Sequence, residues 1–200
     1  MTHETQYTTL AGRCRQLTDA VERCQITAMN GALFDAEVGL RELTQVLERA
    51  RSNRASVYVI GNGGSAAIAS HLVNDLVKVG HVRAFTLHDS SLLTCLANDY
   101  GYENAYAQAL SQMALPGDVL IAISSSGRSM NIRNAAAQLW GKGGTVITLS
   151  GFDAANPLRA LGDLNVWVDS ADYGLVEVGH QFILHHLSDG LAPALAASTS

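Results

Sequence analysis

Cysteine is scarce in this chain: Cys14, Cys24 and Cys95 are scattered through 200 residues with no C-x-x-C spacing. Neither a disulfide framework nor a cysteine zinc site is indicated, and the expected compartment is the reducing cytoplasm. Charge is also sparse, at 16% of residues with a formal net charge of -5. No basic field for nucleic acid is expected, and a small anionic ligand would need its own local binding loop. No apolar stretch approaches the ~18 residues of a membrane span. The opening residues, MTHETQYTTLAGRCRQ, lack the basic segment and apolar run of an export signal, so neither insertion nor export is expected. Internal repeats, low-complexity segments and charge blocks are absent, and the Ala/Ser/Thr-rich tail after Pro193 is expected to fray.

What the chain does have is 48% hydrophobic residues, enough for one globular domain with a sizeable core and no covalent staples. Residues 8–28 and 34–51 read as two helices, the second with Leu40, Leu43, Val46 and Leu47 at three- and four-residue steps. From Ser56 the pattern changes to β-branched runs (SVYVI, RAFTL, DVLIAIS, TVITLS, LNVWV) separated by helical stretches, the last running from Tyr173 to Leu191. Such alternation predicts an α/β fold, a parallel sheet covered by helices on both faces. Ligands in this architecture bind outside the carboxyl ends of strands, which singles out the loops after SVYVI and DVLIAIS.

After SVYVI comes Gly61-Asn62-Gly63-Gly64-Ser65, where glycines allow positive φ and close approach of a ligand to backbone N–H groups at a helix start. Alone, this turn reads equally as a tight connection with Ser65 capping the helix. The second loop, Ser124-Ser125-Ser126-Gly127-Arg128-Ser129, is more specific, since four hydroxyls around one glycine at a helix start can surround a phosphate. It is not a Walker A loop, because no lysine follows the glycine, and the G-x-G-x-x-G dinucleotide pattern is missing.

Among ionisable residues, His71 and Asp75 lie one helical turn apart on one face, a placement suited to a shared metal, an acid/base pair or simply a solvated helix face. The late helix carries Glu177, His180, His185 and His186. Glu177 and His185, eight residues apart, are separated by about 12 Å of helix rise.

GNGGSAAIASH, ANDYG, GDVLIAISSSGRS and VEVGHQFILHHL, in this order and spacing, resemble the phosphoheptose isomerases, a branch of the SIS-domain proteins. The resemblance spans residues 35–190. It implies a three-layer SIS fold with a five-stranded parallel sheet behind two N-terminal helices. One SIS domain is expected over 1–200, with helices in 1–52 used in oligomerisation, an α/β core over 53–193 and a flexible tail at 194–200. It further implies a homotetramer with sites assembled between subunits, and interconversion of sedoheptulose 7-phosphate with D-glycero-D-manno-heptose 7-phosphate, feeding lipopolysaccharide or capsule heptose. Sugar contacts fall on Asn62, Gly63, Gly64, Ser65, Asn98, Asp99 and Glu177, and phosphate contacts on Ser124, Ser125, Ser126 and Ser129. Asp75 and His185 become the catalytic pair, and His71, Asp75, Glu177 and His185 the ligands of one Zn²⁺. His180 is a reserve.

Five positions depart from the family, of which Ser125, commonly threonine, keeps the hydroxyl. Asp75 stands for a glutamate and Glu177 for a glutamine, while Leu175 and Val178 replace the usual arginine and glutamate. Three other functions therefore stay open. One is a tetrameric scaffold like the protein associated with the replication initiator DnaA, which lacks the acid/base pair. The others are a sugar-phosphate sensor and an isomerase for another sugar phosphate.

Overall fold

A computed structural model describes residues 9–191 of the chain. Helix α1 (Leu10–Glu22) begins at Thr9, whose Oγ1 accepts from the Gly12 N–H, and ends at Arg23. Strand β1 (Gln25–Ala28) follows at once. The helix expected over 8–28 therefore stops short, and the reason lies in Ile26 and Thr27: β-branched and buried, they pair with β6 as an edge strand. The second helix is where it was expected, as α2 (Ala36–Ser52), capped by Asp35 and burying Leu43, Val46 and Leu47.

The remaining elements alternate: β2 (Ser56–Ile60), α3 (Gly64–Lys78), β3 (Arg83–Thr86), α4 (Ser90–Tyr100), α5 (Ala105–Met113), β4 (Val119–Ile123), α6 (Met130–Gly141), β5 (Thr145–Ser150), β6 (Leu164–Trp167) and α7 (Tyr173–Asp189). The sheet has six strands in the order β1-β6-β5-β4-β2-β3, with β1 antiparallel to β6 and the other pairings parallel. The five-stranded parallel sheet is thus present, with one antiparallel strand added at its edge.

Three layers follow from side-chain alternation along the central strands. Val57 and Val59 of β2, with Val119, Ile121 and Ile123 of β4, join the core under α1, α2, α3 and α7. Tyr58, Ile60, Leu120 and Ala122 point the other way, into the core under α5 and α6. All five residues of SVYVI are buried, which is why the run from Val57 to Ile60 is continuously apolar instead of alternating.

Counted along the chain, the five parallel strands lie in the order 2-1-3-4-5, so connections leave in opposite directions after β2 and β4. That is a topological switch point, where open α/β sheets form a ligand crevice. The expected tail at 194–200 lies outside the described residues.

Candidate active site

Strand β4 ends at Ile123 and the chain turns through Ser124–Ser129 into α6. The loop is fixed by backbone bonds from Gly127 N–H to Ser124 O (2.9 Å) and from Gly151 N–H to Ser125 O (2.8 Å). Ser129 precedes α6 without a side-chain capping bond. Its hydroxyl instead accepts from Ser124 Oγ at 3.3 Å, and the first-turn N–H groups of α6 are left for a ligand. A cavity of about 180 Å³ opens here, lined by Asn62, Ser65, Ile123, Ser124, Ser125, Ser126, Ser129, Tyr173 and Glu177. The structure thus gathers most of the expected phosphate and sugar contacts around one space.

Ser125 carries the clearest sign of a missing partner. It is 5% exposed, and its Oγ is buried without a hydrogen bond. A buried hydroxyl left unpaired costs ~1–3 kcal/mol, which an incoming acceptor would recover. Ser125→Ala should therefore raise the melting temperature of the free protein while weakening phosphate binding about tenfold, by thermal shift and calorimetry. Lower stability together with unchanged binding would make the hydroxyl structural.

In the first loop Gly63 has φ +53° and makes no side-chain cap of α3. Gly64 brings the helix start close to a neighbour, since a Cβ there would lie 2.5 Å from Glu177 Oε2 and push that side chain aside. The Glu177 carboxylate thus rests against the start of α3. Asn62 and Asn131 exchange amide hydrogen bonds at 3.0 and 2.8 Å, and Tyr102 Oη donates to Asn62 Oδ1 at 2.7 Å. Neither Asn131, 3% exposed at the start of α6, nor Tyr102 was singled out in the sequence, since nothing in their spacing marks them. Asn98 and Asp99 do not line the cavity. They sit exposed on α4, bonded to each other at 3.0 Å.

A second cluster joins α3 to α7. Asp75 Oδ2 lies 3.3 Å from His71 Nε2 and 3.4 Å from His185 Nδ1, and the two rings stand edge to face with centroids 4.6 Å apart. Neither approach has hydrogen-bond geometry, so Asp75 Oδ2 is a buried carboxylate oxygen without a hydrogen-bonding partner. One ligating atom from each of the three residues lies within 4.8 Å of the others, a donor set that fits a metal ion. Glu177 is outside this group, because two helical turns along α7 separate it from His185.

His180 lies elsewhere, fully buried in α7 with Nε2 3.0 Å from Ser150 O. Burial pushes its pKa down to about 4 from an ordinary 6.5, so the folded chain keeps the ring neutral where the unfolded chain protonates it. Stability from this group is complete above about pH 6.5. It declines as pH falls toward 4, on the order of 1.4 kcal/mol per unit, and denaturant titrations of wild type and His180→Gln should differ by that slope.

A larger space, about 570 Å³, lies at the amino ends of β2, β3 and β4, lined in part by Arg54, Arg83 and Asp118. Asp118 is already satisfied there by the N–H groups of Ser56 (2.7 Å) and Leu115 (2.8 Å). Among the described residues no loop at that end begins an α-helix with free hydroxyls, so the smaller cavity at the carboxyl ends has the chemistry of an anion site.

A serine loop at the switch point of a three-layer sheet defines the class as a SIS-type domain, and the model described as SIS domain matches residues 29–151. The chain belongs to that family, within its phosphoheptose isomerase branch. The phosphoheptose isomerase of Mycobacterium tuberculosis is 39% identical over 151 residues, spanning 72% of this chain and 76% of the relative. That of Geotalea daltonii is 36% identical over 159 residues, 76% of this chain and 82% of its own. The solved phosphoheptose isomerase of Neisseria gonorrhoeae shares the fold with a TM-score of 0.78 at 24% identity, covering 91% of this chain and 96% of that one. Another solved structure, the Vibrio vulnificus NanR protein complexed with ManNAc-6P, has a TM-score of 0.65 at 18% identity, covering 94% of this chain and 64% of that one.

Proposed function

We propose that this chain is an aldose–ketose isomerase that interconverts sedoheptulose 7-phosphate and D-glycero-D-manno-heptose 7-phosphate. The observation that carries the reading is the buried, unpartnered Asp75 oxygen between His71 and His185, since a scaffold or sensor on the same fold has no need of it. The family's names at 36–39% identity supply the substrate.

In this mechanism Ser124, Ser125, Ser126, Ser129 and the N-terminus of α6 anchor the phosphate, far from the reacting carbons. Binding energy spent at that anchor orients the sugar. Asn62, Gly63, Gly64, Ser65 and Glu177 hold its hydroxyls. Asp75 takes the proton from C1 of the ketose and returns it at C2. His185 protonates the C2 oxygen as the enediol forms and accepts the proton of the C1 hydroxyl as the aldehyde appears, so the protons balance. With Oδ2 turned toward the imidazoles, Oδ1 is the oxygen available for proton transfer. His71, Asp75 and His185 would hold Zn²⁺ as a two-histidine, one-carboxylate set with an open position, the pattern of catalytic zinc. When bound, the ion supplies Lewis-acid polarisation of a carbonyl oxygen. Glu177 is two turns away in the same chain, and its role falls to the sugar.

A homotetramer is part of the proposal. Leu10, Val178 and Phe182 are 82%, 51% and 60% exposed on α1 and α7, and Asn98 and Asp99, exposed on α4, would complete a neighbouring subunit's site. Light scattering tests the assembly. Three free thiols fit a cytoplasmic location, and among the described residues no helix is long and apolar enough to cross a membrane.

The deciding experiment incubates zinc-loaded protein with sedoheptulose 7-phosphate in D₂O. NMR should show the aldose product with deuterium at C2. Neither product nor exchange, in a folded protein that binds the phosphosugar, would leave the scaffold or sensor reading.

A further inference from the structure

We propose that Tyr173, braced by Phe152, is the contact for the carbon chain of the phosphosugar and lets the site prefer a phosphosugar over bare phosphate. This rests on the reading that the cavity beside the serine loop takes a sugar phosphate. That cavity is lined almost wholly by hydroxyl, amide and carboxylate groups. Of its two other side chains, Ile123 is fully buried beneath the floor, whereas Tyr173 presents a ring that is 60% exposed. Phosphate needs donors, but the carbons that follow it need an apolar surface, and Tyr173 is the accessible side chain of the cavity that offers one.

The ring is held in place. It meets Phe152 edge to face, with centroids 4.6 Å apart and an interplanar angle of 76°. Phe152 occupies the left-handed region at φ +59°, where a bulky aromatic residue is strained. Two backbone bonds on its amino side hold it there, from Phe152 N–H to Ser170 O at 2.8 Å and from Gly151 N–H to Ser125 O at 2.8 Å. Arg128 of the serine loop adds an ion pair with Asp153 at 3.2 Å. The strained residue thus joins the phosphate loop to the segment entering α7, and its ring abuts the one aromatic wall of the cavity. Strain retained beside a ligand cavity marks a position set by binding.

The test is calorimetric titration of wild type, Tyr173→Ala, Tyr173→Phe and Phe152→Gly with inorganic phosphate and with a panel of pentose, hexose and heptose phosphates. Wild type should bind at least one phosphosugar more tightly than phosphate. Tyr173→Ala should lose about tenfold toward that phosphosugar while its phosphate affinity stays unchanged, and Tyr173→Phe should behave as wild type. Phe152→Gly, which accepts the positive φ without strain, should shift in the same direction as Tyr173→Ala. Equal loss toward phosphate and phosphosugar, no loss, or a wild type indifferent to the sugar would each overturn the proposal. A Tyr173-dependent preference for a pentose or hexose phosphate would instead keep the wall and reject the heptose substrate. Heptose turnover with an unaltered KM in Tyr173→Ala would keep the substrate and reject the wall.

Discussion

Asp75→Asn is expected to lower kcat on the order of 10³-fold while leaving sugar-phosphate affinity within about twofold of wild type. The amide matches the carboxylate in shape but cannot take a proton from carbon. Binding should survive because the Ser124–Ser129 loop, the proposed phosphate anchor, lies between β4 and α6, whereas Asp75 is on α3. The same variant should lose zinc, measured by metal analysis after dialysis, since the carboxylate is one of three candidate ligands. Its melting temperature should hold or rise, because the Asp75 oxygen has no hydrogen bond to lose and its charge is buried beside two imidazoles. A fall in stability with joint loss of binding and turnover would assign Asp75 to the architecture of α3 and α7.

The two loops, the pairing of His71 with Asp75 and the α/β alternation were legible in the sequence because each is local. Glycines and hydroxyls between an apolar run and a helix announce a strand-to-helix turn, and a four-residue step announces a shared helix face. What escaped was set by tertiary pairing. Gln25–Ala28 extends a helical pattern until β6 is present to bond with it. Asn131 and Tyr102 look ordinary until the fold brings α6 and the turn after α4 against Asn62. Glu177 shows the limit in the other direction: the family's ligand set places it with His71, Asp75 and His185, while helix geometry within one chain sets it against Gly64. The position of Tyr173 was equally invisible, because the cavity it walls is assembled from three separate segments of the chain.

Gly127→Ala should cost on the order of 10²-fold in phosphate affinity and about 2–4 kcal/mol in stability. Two independent constraints meet at this residue. Its φ of +63° disfavours any side chain, and a Cβ would collide with the Asn156 side chain. Asn156 cannot yield easily. It is 2% exposed, donates to Ser150 Oγ (3.0 Å) and Asp153 O (2.9 Å), and accepts from Arg159 N–H at 3.1 Å. The serine loop must move instead, and with it Ser125 and Ser126, so the hydroxyls no longer converge on one anion. Gly63→Ala separates the two constraints, because φ there is +53° but no atom lies within 4 Å of the added Cβ. It should cost about 1–3 kcal/mol from the backbone alone, since φ +53° with ψ -123° is a conformation that glycine adopts most readily. Asn156→Gly in the Gly127→Ala background opens the space again and should recover part of the phosphate affinity, a coupling that distant effects on folding would not produce. Wild-type phosphate binding by Gly127→Ala alone would remove the Ser124–Ser129 loop from the anion site, and with it the anchor on which the isomerase mechanism depends.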